Sequence, residues 1–245
     1  MGMIDAYFGS LAETLERVMD TQKEAMEEAA RRIACAMRGG HMAYAFGSGH
    51  GHLLALELFY RAGGPACVCP ILDERLMLHL SASESTQWER KEALADELLE
   101  RYPVGAGDVL IITSNSGRNG VPVRMAQLAR TRGACVIALT NLRHSRASSS
   151  RCSSGLRLFE TADVVIDNGG AVGDASMRAA DGMMTGPTST AVGAAILQAV
   201  FCRVKEISLE EGWEAEFFKS SNLDGGDAYN EKLLAKYAGR IPSLV

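Results

Sequence analysis

No apolar run in the chain reaches the roughly 18 residues that a bilayer-spanning helix needs, and no charged stretch followed by an apolar core opens it. A membrane protein is therefore not expected, and a cytoplasmic location is. No basic run extends beyond a few residues and the formal net charge is -5, so a nucleic-acid binder, which would present a basic stripe, is not expected either. The six cysteines, Cys35, Cys67, Cys69, Cys135, Cys152 and Cys202, contain no C-x-x-C pair and lie mostly in apolar segments, as reduced thiols do. Cys67 and Cys69 would share one face of a strand, but C-x-C alone is too few ligands for zinc. Internal repeats and low-complexity linkers are missing as well. The 245 residues, 47% of them hydrophobic, are thus read as one domain, with a helical extension over 1–39, a core over 40–206 and a helical tail over 207–245.

What the chain does contain is an apolar run that stops in small polar residues, Val109-Leu-Ile-Ile-Thr-Ser114-Asn115-Ser116-Gly117-Arg118-Asn119-Gly120. The short β-branched segment after the turn Gly105 to Asp108 has the character of an interior parallel strand. Val121 to Arg132 is helical in pattern, with Pro122 in the first turn, where a missing N–H costs little. Ser114 to Asn119 therefore lie between a strand's carboxyl end and a helix's amino end. Free backbone N–H groups and the helix dipole favour an anion there, and serine hydroxyls add donors. The alternative is that Ser116 or Asn119 only caps the helix.

Around this unit the same alternation repeats. Met3 to Met37 carries apolar positions at helical spacing, as one helix or two, and needs a surface to cover; a second copy of the chain is the expected partner. Met42 to Phe46 reads as the first strand, running into Gly47-Ser48-Gly49-His50-Gly51-His52 and a helix over Leu53 to Ala62. Alternate glycines let a ligand approach the backbone. The spacing is not G-x-G-x-x-G, although Asp73 lies near where a dinucleotide fingerprint wants its acid. Cys67 to Leu72 is a strand that Pro70 pushes toward a sheet edge, or whose last residue it pushes toward a bend. Asp73 to Trp88 is a polar, irregular stretch holding His79, and Glu89 to Arg101 is an amphipathic helix. Further strands are Ala134 to Thr140 and Ala162 to Asp167, separated by the serine- and arginine-rich segment Asn141 to Gly155. A flexible small-residue stretch over Ala171 to Gly186 precedes a helix over Ala191 to Val204, for which Thr188 or Ser189 is a natural N-cap, and Leu209 to Tyr237 reads as two helical pieces. This order predicts a three-layer αβα, doubly wound, flavodoxin-like parallel sheet of about five strands, with ligands outside the strands' carboxyl ends.

Phe46-Gly-Ser-Gly49, Ser114-Asn-Ser-Gly-Arg-Asn119, Ala162-Asp-Val-Val-Ile-Asp167 and Gly186-Pro-Thr-Ser-Thr190 together resemble the sugar isomerase (SIS) domain family, over roughly Gly40 to Glu206. Glu57 to Gly64 and Ser220 to Asp227 are similar to stretches of the UPF0309 group of that family, relatives of phosphoheptose isomerase. The resemblance implies a sugar phosphate held by Ser48, Ser114, Ser116 and Asn119, with Gly47, Gly49, His50, His52, Asn115 and Gly117 shaping the cradle and Thr188 or Ser189 nearby. Asn119 stands where the family has threonine, and Gly51 where many relatives have serine.

Aldose–ketose isomerisation needs an acid to open the sugar ring and a base to move a proton between carbons. The resemblance offers Glu57, on the helix after the first turn, and His79 as catalytic candidates; a Glu57–Arg61 pair one turn apart is the structural alternative. Glu89 and Asp174 are secondary candidates. His50-x-His52 with Glu57 or His79 would make only a loose ligand set, so neither metal nor cofactor is expected. A phosphosugar sensor without turnover, or a lyase or etherase acting on an amino-sugar phosphate, are the competing functions.

Overall fold

The structure is a computed structural model that describes residues 2–244. Five strands, β1 (Ala43–Gly47), β2 (Val68–Ile71), β3 (Val109–Thr113), β4 (Cys135–Thr140) and β5 (Val164–Asp167), form a parallel sheet in the order β2-β1-β3-β4-β5. β1 to β4 are buried along almost their whole length, which is why their sequences are continuous apolar runs and not alternations. Pro70 falls in β2, the edge strand, where a missing ladder donor is tolerated.

One face of the sheet is covered by α1 (Met3–Arg38), α2 (His52–Leu58) and α8 (Ser189–Glu210), and the other by α4 (Ala93–Arg101), α5 (Gly120–Thr131) and the short α7 (Leu158–Thr161). α1 is one unbroken helix of 36 residues. Its stripe Ala29, Ala30, Ile33 and Ala34 is buried, and the small alanines let it lie close to α8, which buries Val192, Ile196, Val200, Phe201 and Val204. α2 crosses α8 just as closely, since a Cβ on Gly193 would come within 2.7 Å of Leu54. A single apolar cluster extends from Val18 to Ile241.

Several segments differ from their sequence pattern, among them the helix expected from Glu89, which starts only at Ala93. The polar stretch after β2 contains a 3-10 turn (Glu74–Leu76) and α3 (Ala82–Trp88). The small-residue segment before α8 is an antiparallel hairpin, β6 (Ala175–Arg178) with β7 (Met184–Pro187), tied to α1 where the Tyr7 hydroxyl donates to the Pro187 carbonyl at 2.9 Å. α2 stops at Leu58, short of Ala62, because Tyr60 turns to φ +42° and sets its ring edge-on against Phe218. The tail contributes that Phe218 from an extended segment, which hydrogen-bonds back to Gly63, Gly64 and Ala66. Only one of the two expected tail helices therefore forms, α9 (Gly226–Tyr237). α6 (Leu142–Arg146) follows β4.

At the carboxyl end of β2, Asp73 accepts from Arg75 at 2.8 and 2.9 Å and from Arg101 at 2.7 Å. Burial works to raise the carboxyl's pKa, but the bonds from Arg75 and Arg101 outweigh it and hold the group below its usual value. The stabilisation is present above the unfolded pKa, about 3.9, and is lost as pH falls through the lower folded value. Asp73→Asn is expected to cost about 2 kcal/mol at pH 7. The gap from wild type should narrow at pH 3, as read by urea unfolding at both values.

Candidate functional site

In a 2-1-3-4-5 sheet the chain leaves β1 and β3 in opposite lateral directions, opening a crevice beyond their carboxyl ends. β1 and β3 are hydrogen-bonded neighbours, with Gly47 opposite Thr113, so the turns that follow them must lie side by side. Between them is a cleft of about 400 Å³.

Glycine is required for that approach. A Cβ on Gly47 would fall 2.3 Å from the Gly51 backbone and 2.5 Å from Thr113 Oγ1, and one on Gly51 would fall 2.8 Å from the Thr113 carbonyl. A serine at Gly51, which the resemblance suggested for this position, has no room in this backbone. Thr113 Oγ1 joins the turns, donating to the Gly51 carbonyl at 2.9 Å with the Phe46 carbonyl at 3.3 Å. Gly117, at φ +58°, reverses the second turn, and its N–H donates to Ser114 Oγ at 3.3 Å.

Ser48, Gly49 and His50 from the first turn, Ser114, Asn115, Ser116 and Asn119 from the second, and Ser189 at the start of α8 all line the cleft. Gly47 and Gly117 shape the turns from behind. Other expected residues lie elsewhere. The ring Nδ1 of His52 bonds back to the Gly49 carbonyl, closing the 3-10 turn (Gly49–Gly51). Thr188 borders a neighbouring polar cavity beneath α1. Glu57 pairs with Arg61, four residues on, and accepts from Gln198 of α8 at 3.1 Å. Leu54 of the same helix lines the cleft, whereas Glu57, three residues further along it, is not among the lining residues. His79 is exposed between the 3-10 turn and α3, outside the cleft lining. No group of three His, Cys, Asp or Glu is gathered for a metal among the described residues. Burial pushes the thiols of Cys67 and Cys69 up to about 12, so both are protonated core groups.

The carboxylates in the cleft are Glu89 and Asp174. Glu89 is carried there because its carbonyl accepts from Val121 N–H at 3.0 Å, holding the segment before α4 against the start of α5. One of its oxygens accepts from Ser48 Oγ at 2.7 Å. Asp174 caps α8, accepting from Thr188 N–H at 3.1 Å, Ser189 N–H at 2.8 Å and Ser189 Oγ at 2.6 Å. His144 also lines the cleft. Its Nδ1 lies 3.2 Å from the Gly173 N–H and must accept, so in the neutral ring Nε2 carries the proton. Asn168 completes the floor, donating to Asn115 Oδ1 at 2.8 Å. His144 and Asn168 have no motif of their own; the signal for each is its place just beyond the carboxyl end of a strand, β4 or β5.

With the fold and the cleft in view, residues 6–141 match the model of the SIS domain, and this chain belongs to the SIS domain family. It is similar throughout to UPF0309 proteins. That of Listeria monocytogenes serotype 4b is 40% identical over 243 residues, 99% of this chain and 98% of the relative. One from Halalkalibacterium halodurans is 44% identical over 224 residues, 91% and 93% of the two chains. Among solved structures, phosphoheptose isomerase from Neisseria gonorrhoeae superposes with a TM-score of 0.56 at 14% identity, over 83% of this chain and 97% of its own, a likeness of fold.

Gly47→Ala is expected to cost about 1–3 kcal/mol through overpacking against Gly51 and Thr113. Thermal unfolding should show this as a lowered midpoint, while Gly155→Ala, with open space around it but a positive φ, should cost less.

Proposed function

We propose that the cleft binds a sugar phosphate and that the chain is an aldose–ketose isomerase acting on it. The observation that carries this reading is Glu89, a carboxylate with one oxygen fixed by Ser48 on the floor of the same cleft as the Ser114–Asn119 turn. The turn offers hydroxyls and the amino end of α5 to the phosphate. Glu89 keeps its second oxygen free, so it is the better candidate for the base. All the bonds that cap α8 fall on Asp174, whose oxygens are thereby engaged. His144, with Nε2–H as donor, is suited to the ring or carbonyl oxygen of the sugar. This assigns to Glu89 and His144 the roles for which Glu57 and His79 were the sequence candidates, because the latter pair lie outside the cleft.

A panel of hexose, heptose and amino-sugar phosphates tests the assignment. Glu89→Gln should lower turnover by at least about a hundredfold with little change in binding, and Ser116→Ala should weaken binding by about tenfold. Binding of a sugar phosphate with no turnover of any would overturn the isomerase and leave a sensor.

The chain is also proposed to self-associate. Ile4 and Phe8 on α1, 75% and 66% exposed, border a shallow apolar surface with Tyr7 and with Met177 of the hairpin, a patch that a second copy would cover. Light scattering should give at least a dimer, shifted toward monomer by Phe8→Asp.

A further inference from the structure

The segment between α6 and α7, rich in serine and arginine, has no role so far, yet it is firmly held beside the cleft. Ser153 Oγ donates to Glu92 at 2.7 Å, Ser150 Oγ to the Leu156 carbonyl at 2.6 Å, and the Arg151 N–H to the Arg118 carbonyl at 2.8 Å. From this anchored loop the Arg151 side chain extends to Asn119, donating from Nη1 to Oδ1 at 3.0 Å.

Asn119 is the cradle residue that stands where threonine is expected. A threonine hydroxyl rotates and can always donate to a phosphate. An asparagine amide has a donating and an accepting end, and with the oxygen toward the ligand it would repel the phosphate. A guanidinium has no acceptor, so the amide end that meets Arg151 must be the oxygen. That leaves Nδ2 as the end available to a ligand; it makes no hydrogen bond and is not buried. Nothing else fixes the amide, because Asn119 is the N-cap of α5 without a side-chain capping bond.

We propose that Arg151 is a positioning residue that locks the Asn119 amide with its N–H₂ group toward the bound phosphate. The inference rests on the phosphate reading of the cleft. The local charge suits a dianionic phosphate: Arg90, Arg118 and Arg151 form no ion pair with a carboxylate among the described residues. Arg118 Nε is buried without a partner while its Nη2 donates to Ser149 at 3.0 Å. Partial desolvation, then the like charges of Arg118 and Arg90, draw the Arg151 guanidinium below its usual pKa, as expected of three cations gathered around the start of α5.

The test is a double-mutant cycle on the full chain, with inorganic phosphate as the probe and affinity read by calorimetry. Arg151→Ala should weaken phosphate binding by about tenfold in the Asn119 background, and Arg151→Lys should recover most of that. Asn119→Thr, which suits the N-cap position, sets its own reference affinity, and in that background Arg151→Ala should be nearly silent. Equal losses from Arg151→Ala in the two backgrounds, or no loss in either, would overturn the positioning role, since Arg151 would then act on the phosphate directly or not at all. Ser116→Ala separates this from the underlying reading. If it weakens binding while the cycle shows no coupling, only the positioning role fails; if wild type does not bind phosphate, the phosphate reading fails and takes this one with it.

Discussion

Everything at the cleft depends on how closely the turns after β1 and β3 can approach, and that distance is set by a threonine hydroxyl between two glycines. Gly47 and Thr113 face each other across a parallel ladder, and Thr113 Oγ1 reaches the Gly51 carbonyl over the top of it. A side chain on either glycine would separate the turns. Because the turns touch, Ser48 and the Ser114–Asn119 segment share one cavity; because α5 begins right after it, Glu89 is delivered to the same place through a main-chain bond to Val121.

The apolar character of the strands follows from the same arrangement. A sheet covered on both faces has no solvent side, so its strands are uniformly apolar and can be recognised in the chain without alternation. The five strands, their parallel sense, the edge position of the proline-containing one and the two glycine–serine turns were legible on this basis. Their ends were less so: α2 gives way at Leu58 because the tail lays Phe218 against Tyr60, a contact between residues far apart in the chain.

The groups proposed for acid–base work were the least legible part. A helical position says which turn a residue occupies but not toward which neighbour it faces, and Glu57 satisfies Arg61 and Gln198 rather than the cleft. Glu89 and Asp174 were only secondary candidates, because what makes them notable is the fold: one is held by α5's first turn and the other sits at φ +73° to cap α8. His144 and Asn168 sit in segments whose composition suggested only loops. Strand ends mark where ligands gather, but only packing decides which side chain of a loop turns inward.

The bond between Tyr7 and Pro187 has a consequence of its own. Pro187 borders the cleft and Tyr7 lies one residue from Phe8, so one hydrogen bond ties the front of the long first helix to the rim of the cavity. A ligand that draws the hairpin inward and a neighbour that grips the helix tip would pull on the same bond. Should the proposed sugar phosphate and the proposed second copy both act through it, linkage makes the influence mutual: whatever occupancy does to assembly, assembly must do to occupancy, by the same factor.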